Sequence, residues 1–154
     1  AFFVKDGAGL TVYANWNDRV AEDLRHEVVH GYLHAATPQV PLWLDEGIAE
    51  YYEVPSGGAG INWPHVERLA DAERLGGWRP DLPRLEQIDD PAALKQLDYA
   101  EAWLWVHFCL NTRPERSVLV RDYLRRLREG QPAEPLSKSL DEDDLMRHLE
   151  FLEG

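Results

Sequence analysis

The stretch RHEVVHGYLH, residues 25–34, holds three histidines at four-residue spacing, His26, His30 and His34, with Glu27 directly after the first. Neutral imidazoles are the commonest protein ligands for transition metals, and a carboxylate beside them can carry a proton. On a helix, His26 and His30 stand one turn apart, about 6 Å along the axis and about 40° around it, so both rings can point at one ion. Glu27 falls about 100° further round, turned away from ligation but placed to take a proton from water activated by the metal. His34 shares roughly the same face, yet its backbone lies about 12 Å along the axis from that of His26. It reads as a polar residue near the helix end or a contact at the rim.

A tetrahedral catalytic zinc needs a third protein ligand and one open position. The chain has Leu33 and Ala36 where a metzincin pattern would have Gly and His, so the ligand must come from elsewhere. In PLWLDEGIAEYYE, residues 41–53, Glu46 follows His30 by sixteen positions, enough for a turn through TPQVP and a helix that comes back across the first. Glu50 shares the face of Glu46 and can accept the free ring N–H of a ligating histidine, fixing its tautomer. Gly47 costs a helix about 1 kcal/mol relative to alanine, and close approach of these two helices is the expected reason for it.

HEVVH followed by PLWLDEGIAEYYE resembles the gluzincin metallopeptidases of the peptidase-MA-like clan, especially bacterial MA-like domains with a P-x-W-L-x-E-G-x-A-E-Y segment. The resemblance implies a zincin-like, thermolysin-like domain with one zinc ion, His26, His30 and Glu46 as its ligands, Glu27 as general base and Glu50 as the partner behind a ligand. It implies peptide-bond hydrolysis on a peptide or protein substrate. The close match spans residues 25–53. The interval from His30 to Glu46 is shorter than in the aminopeptidases and no GAMEN-type segment is visible, so endo- or exopeptidase action is left open. Tyr99 is the first candidate for steadying the oxyanion, because resembling peptidases use Tyr or His from a later helix; His65 and His107 come second. Trp43, Tyr51 and Tyr52 are candidates for the core or for a cleft wall.

The elements that must position these groups read as follows. Two short β-runs, residues 2–5 and 10–13, flank the turn DGAG. Asn17 is the expected cap of a helix through DRVAEDLRHEVVHGYLHA, with Val20, Leu24, Val28, Tyr32 and Ala35 as its core-facing stripe. A helix from Pro41 ends before Pro55 and SGGAG, and PHVERLADAERL is a third, closed by Gly76 and Gly77. GGWRPDLPRLEQIDDP is an ordered arm that buries Trp78, Leu82, Leu85 and Ile88. PAALKQLDYAEAWLWVHFCLN is apolar nearly all round and reads as the central helix. Two amphipathic helices, PERSVLVRDYLRRLRE and LDEDDLMRHLEFL, complete a mostly helical α+β chain with five or six helices, read as a single domain over residues 1–154.

The 154 residues carry 28 acidic and 16 basic side chains, a net charge of −12. That balance disfavours nucleic acid and anionic membrane surfaces and favours cationic or neutral substrates. The single cysteine, Cys109, lies in an apolar run and reads as a buried hydrophobe. Neither a membrane span nor a signal peptide is read, and the start at Ala1 leaves room for an upstream leader or domain, compatible with an exported or periplasmic bacterial protein. Two rival readings are a zinc-bearing peptide-binding or scaffold module with negligible turnover, and a helical interaction domain with a fortuitous HExxH. Intact Glu27 argues against the first, and the paired segments 25–34 and 41–53 against the second.

Overall fold

The computed structural model describes residues 1–7, 9–14, 16–55 and 57–154. The chain is α+β and mostly helical. Strands β1 (Phe2–Asp6) and β2 (Gly9–Tyr13) form a two-stranded antiparallel sheet in the register Phe2↔Tyr13. The turn read at DGAG takes in Ala8 and the link SGGAG takes in Ser56, both outside the described residues. The hairpin leans on α1 (Val20–Ala36), and α2 (Leu42–Glu53) returns antiparallel to α1. Then come α3 (Trp63–Arg74), the short α4 (Leu82–Leu85), α5 (Gln96–Asn111), α6 (Pro114–Arg128) and α7 (Glu142–Glu153). Among the described residues these are seven helices, one more than expected, because the arm winds one turn at α4.

α5 is the axis of the fold. Every residue from Ala100 to Cys109 is buried, so this helix has no solvent face, and α2, α3, α6 and α7 pack around it. Trp43 and Leu44 of α2, Leu69 of α3, Leu85 of α4, Trp103, Leu104 and Trp105 of α5, and Leu145 of α7 make the centre of the core. Helix α5 starts at Gln96 and not at Pro91: Asp90 caps a separate 3₁₀ turn, Pro91–Ala93, and the backbone N–H of Lys95 donates to Asp98, which fixes the new start. Cys109 is buried there as expected, and burial pushes its thiol up to about 12, leaving it inert.

The arm is tied down by Glu101, a fully buried carboxylate on α5. It accepts from the indole of Trp78 (2.9 Å) and the backbone N–H of Asp81 (2.7 Å), while Arg84 lies 3.4 Å away and reaches Asp98 at 2.8 Å. A buried carboxylate persists only when its lone pairs are met in this way.

Helix α1 departs from expectation. Asn17 accepts from the backbone N–H of Arg19 and closes a turn before the helix, which starts at Val20. The stripe Leu24, Val28 and Tyr32 points outward, Tyr32 being 75% exposed, and Ala35 is exposed too; the face turned inward carries Val29, His30, Gly31 and Leu33. The physical reason is the acidic side chains of α2. Once Asp45, Glu46 and Glu53 face α1, the imidazoles are the side chains that can meet them, and the inward face is set by ion pairing against the apolar period.

Gly47 is a site of close approach, but to α5 and not to α1. A Cβ there would stand 2.5 Å from the carbonyl oxygen of Ala102 and 2.9 Å from Cγ2 of Val106. Because that neighbour is backbone, it cannot rotate away. Gly47→Ala is therefore expected to cost about 1–3 kcal/mol of unfolding free energy in urea titrations. A variant as stable as the parent would contradict this packing.

Candidate metal centre

Two antiparallel helices set the site. Arg25 near the start of α1 reaches the Glu53 carbonyl at the end of α2 (Nε to O, 2.7 Å), and His34 near the end of α1 reaches Asp45 in the first turn of α2 (2.7 Å). Between these two ties, His26 and His30 face Glu46. His26 Nε2 lies 3.4 Å and His30 Nε2 3.6 Å from the same oxygen, Oε2 of Glu46. One nitrogen from each ring and one carboxylate oxygen thus lie within 4.8 Å of one another. Ligands at zinc distances of about 2.05 Å in a tetrahedron are about 3.3 Å apart, close to the separation of each ring nitrogen from Oε2 of Glu46.

The opposite ring nitrogens are held by other carboxylates. Nδ1 of His26 donates to Oε2 of Glu53 at 3.0 Å, and Nδ1 of His30 donates to Oδ1 of Asp45 at 2.9 Å. With one ring proton kept on Nδ1, Nε2 of each ring is the nitrogen that faces Glu46: protonated, it pairs with that carboxylate, and once its proton is displaced it offers a lone pair to an ion. Glu53 is in turn fixed by Asn62, whose amide donates to Oε1 at 3.3 Å. Asp45 is buried, and its second oxygen receives His34.

Glu50, expected behind one of the ligating histidines, pairs with another residue. Its Oε2 receives Nε2 of His65 on α3 at 2.7 Å, and Arg68 donates to the other nitrogen of that ring at 3.3 Å. The reason is one of reach: α2 places Glu46, Glu50 and Glu53 along one face, and Glu53, one turn further on, lies level with His26. The partners missed in the sequence were thus Asp45 and Glu53. Their signals were present, as a carboxylate adjacent to Glu46 and a third member of the 46, 50, 53 series.

The electrostatics follow from this crowding. Burial pulls His26 down, but hydrogen bonds to Glu46 and Glu53 and the charge of Glu50 outweigh it and hold the imidazole up at about 10. His30 is likewise pulled down by burial and lifted further by Asp45 and Glu46, to about 9. Burial favours the neutral form of Glu46, yet the two imidazoles bring it down to about 2. Glu53 is pushed up by burial and by the negative charge of Glu50, whereas Glu50 is held down because His65 and His26 outweigh its burial. Protons on the imidazoles thus balance the carboxylates in the place where a cation would.

Glu27 is half-buried and lines a cleft of about 790 Å³ together with His26, Glu50, Glu53, Trp63 and His65. Tyr99 is half-buried near the start of α5; burial and then the charges of Glu46 and Glu50 push its hydroxyl above the usual tyrosine range. His65 has both ring nitrogens engaged. His107 packs inside α5 near Trp103, with its Nδ1 2.9 Å from Nε2 of His148. Trp43 belongs to the core, Tyr51 is half-buried and shares hydrogen bonds with Asn111, and Tyr52 is exposed. The aromatic wall of the cleft is Trp63, 54% exposed.

Comparison with known proteins agrees in kind. Residues 9–73, from β2 through nearly all of α3, match the family described as peptidase of plants and bacteria. This match supports a peptidase-like family and, with it, a hydrolase with a proteolytic role. No curated protein and no solved structure matches the chain. Among the described residues no helix is long and apolar enough to cross a membrane.

The charge balance gives a prediction for the metal-free protein. His26 and His30 have folded pKa values above the ordinary 6.5, so their contribution to stability is full below pH 6.5 and is lost as pH rises toward 9 and 10. Glu46 contributes above its ordinary 4.5 and loses that contribution as pH falls toward 2. A divalent cation taken up by these nitrogens near pH 7 would displace about one to two protons, those on the two Nε2 atoms. Calorimetry in buffers of different ionisation heat should show a binding enthalpy that tracks the buffer; an enthalpy independent of buffer would contradict it.

Proposed function

We propose that the protein is a zinc-dependent metallopeptidase of the gluzincin type, acting as one catalytic domain on peptide bonds. The observation that carries the reading is the convergence of His26 Nε2, His30 Nε2 and Glu46 Oε2 to ligand–ligand separations of 3.4 and 3.6 Å, beside an open cleft lined by Glu27. The peptidase-like family match over residues 9–73 supports it. His26, His30 and Glu46 would hold the ion, with Glu53 and Asp45 keeping the ring protons on Nδ1.

A bound zinc supplies Lewis acidity, polarising the scissile carbonyl and lowering the pKa of water. Glu27 accepts the proton as water adds to the carbonyl carbon, and returns it to the departing amine as the C–N bond breaks. Tyr99, still protonated at neutral pH, donates its O–H to the developing oxyanion. Arg19 and Arg68 also line the cleft, but Glu22, Asp23, Glu27, Glu50 and Glu53 outnumber them, so neutral or basic peptides are the expected substrates.

Glu27→Gln separates catalysis from metal binding. The variant should hold one zinc per chain as the parent does, and lose hydrolysis of a basic reporter peptide by about 10²–10⁴-fold. An unchanged rate would remove Glu27 from the chemistry. A parent protein loaded with zinc that cleaves no peptide would favour the binding-module alternative.

A further inference from the structure

We propose that His34 is a positioning residue for the metal centre: by holding the second oxygen of Asp45 it fixes the acceptor of the His30 ring proton on Nδ1, and so makes Nε2 of His30 the atom that meets the ion. The inference rests on the metal reading above and extends it by one residue, outside the HExxH pentapeptide and outside the ligand set.

His34 follows His30 by one turn of α1, and both rings reach the same side chain of α2. Asp45 Oδ1 accepts from Nδ1 of His30 at 2.9 Å and Oδ2 accepts from Nε2 of His34 at 2.7 Å. Asp45 is 6% exposed, so water is a poor substitute for either partner, and a buried carboxylate is oriented by the donors it has. An imidazole that ligates an ion is neutral and carries one ring proton. While Asp45 accepts it on Nδ1, the nitrogen facing Glu46 presents a lone pair. If Asp45 turns toward water, the proton can move to Nε2, the nitrogen a metal needs.

The other ligand is built the same way with different parts. Nδ1 of His26 donates to Glu53, and Glu53 is fixed by Asn62. Each histidine thus has a carboxylate behind it and a third group behind the carboxylate. For His30 that third group is His34, whose side chain is partly open to solvent and so replaceable without filling or emptying the core.

His30, His34 and Asp45 could also be taken as ligands of an ion among themselves, since one atom from each lies within 4.8 Å of the others. The geometry favours positioning. A ligand role would need Nδ1 of His30 to lose its proton to solvent and Asp45 to exchange both hydrogen bonds for the ion, whereas the positioning role uses the hydrogen bonds as they stand.

The test is zinc affinity by chelator competition on the parent, His34→Ala and His34→Gln, with X-ray absorption at the zinc edge on each loaded protein and circular dichroism on each metal-free one. Loss of a partner behind a metal ligand typically weakens binding by about 10–100-fold. The expected result is at least a tenfold weaker site in His34→Ala, recovery in His34→Gln because the amide N–H replaces the donor, and two imidazoles at the edge in all three. Equal zinc affinity in parent and His34→Ala would overturn the role of His34 while leaving the metal reading intact. An edge spectrum that loses one imidazole in His34→Ala would make His34 a ligand and also overturn it. A parent that binds no zinc would overturn the metal reading and this inference together. Should His34→Ala fail to fold, His34→Leu replaces it as the variant without a donor: a tenfold loss there with full affinity in His34→Gln supports the role, and equal affinity in the parent and both variants overturns it.

Discussion

One carboxylate between two imidazoles governs this molecule. Glu46 sits on α2 with a single oxygen 3.4 Å from Nε2 of His26 and 3.6 Å from Nε2 of His30, in a half-buried space where an unpaired charge is expensive. That requirement fixes the distance and direction of α2 relative to α1. It also fixes the rotation of α1, turning His26 and His30 inward and leaving Leu24, Val28 and Tyr32 on the outside. Against the other face of α2, Gly47 lets α5 approach until only a hydrogen atom fits, so the helix that supplies Glu46 is clamped from both sides.

The carboxylates behind the histidines make the site more than a pair of ligands. Asp45, Glu50 and Glu53 crowd round the two rings, and the cost of assembling so many negative charges is met by protons on the imidazoles. A cation of charge two would replace those protons and pair with the same carboxylates. The arrangement therefore suits a divalent metal and carries a penalty without one, which is why the metal-free protein is expected to respond to pH on both flanks of neutrality. The cleft beside it is open, acidic and walled by Trp63.

Much of this was legible in the residues. The four-residue spacing of His26 and His30 and the helix carrying Glu46 could be placed because a helix has a fixed pitch, and both helices lie where the pattern puts them. The all-apolar run of α5 identified the central helix, since such a segment has no stable place at a surface. What the residues concealed depends on rotation and contact. The stripe on α1 looked like a core face because a hydrophobic period cannot report that a polar face will be bought inward by partners on another helix. Glu50 looked like the partner of a ligand because it shares a face with Glu46, but His65, fifteen residues on in α3, claims it. Glu101 gave no sign at all: a carboxylate in an apolar helix looks like a flaw until Trp78, Asp81 and Arg84 are seen around it.

The central claim is that His26, His30 and Glu46 share one cation. Crystals grown with zinc, with anomalous diffraction recorded on both sides of the zinc edge, address it most directly. One anomalous peak about 2.0–2.2 Å from His26 Nε2, His30 Nε2 and a Glu46 oxygen is the predicted result. A peak elsewhere, or a Glu46 side chain turned to solvent with the metal held by other groups, would contradict the account.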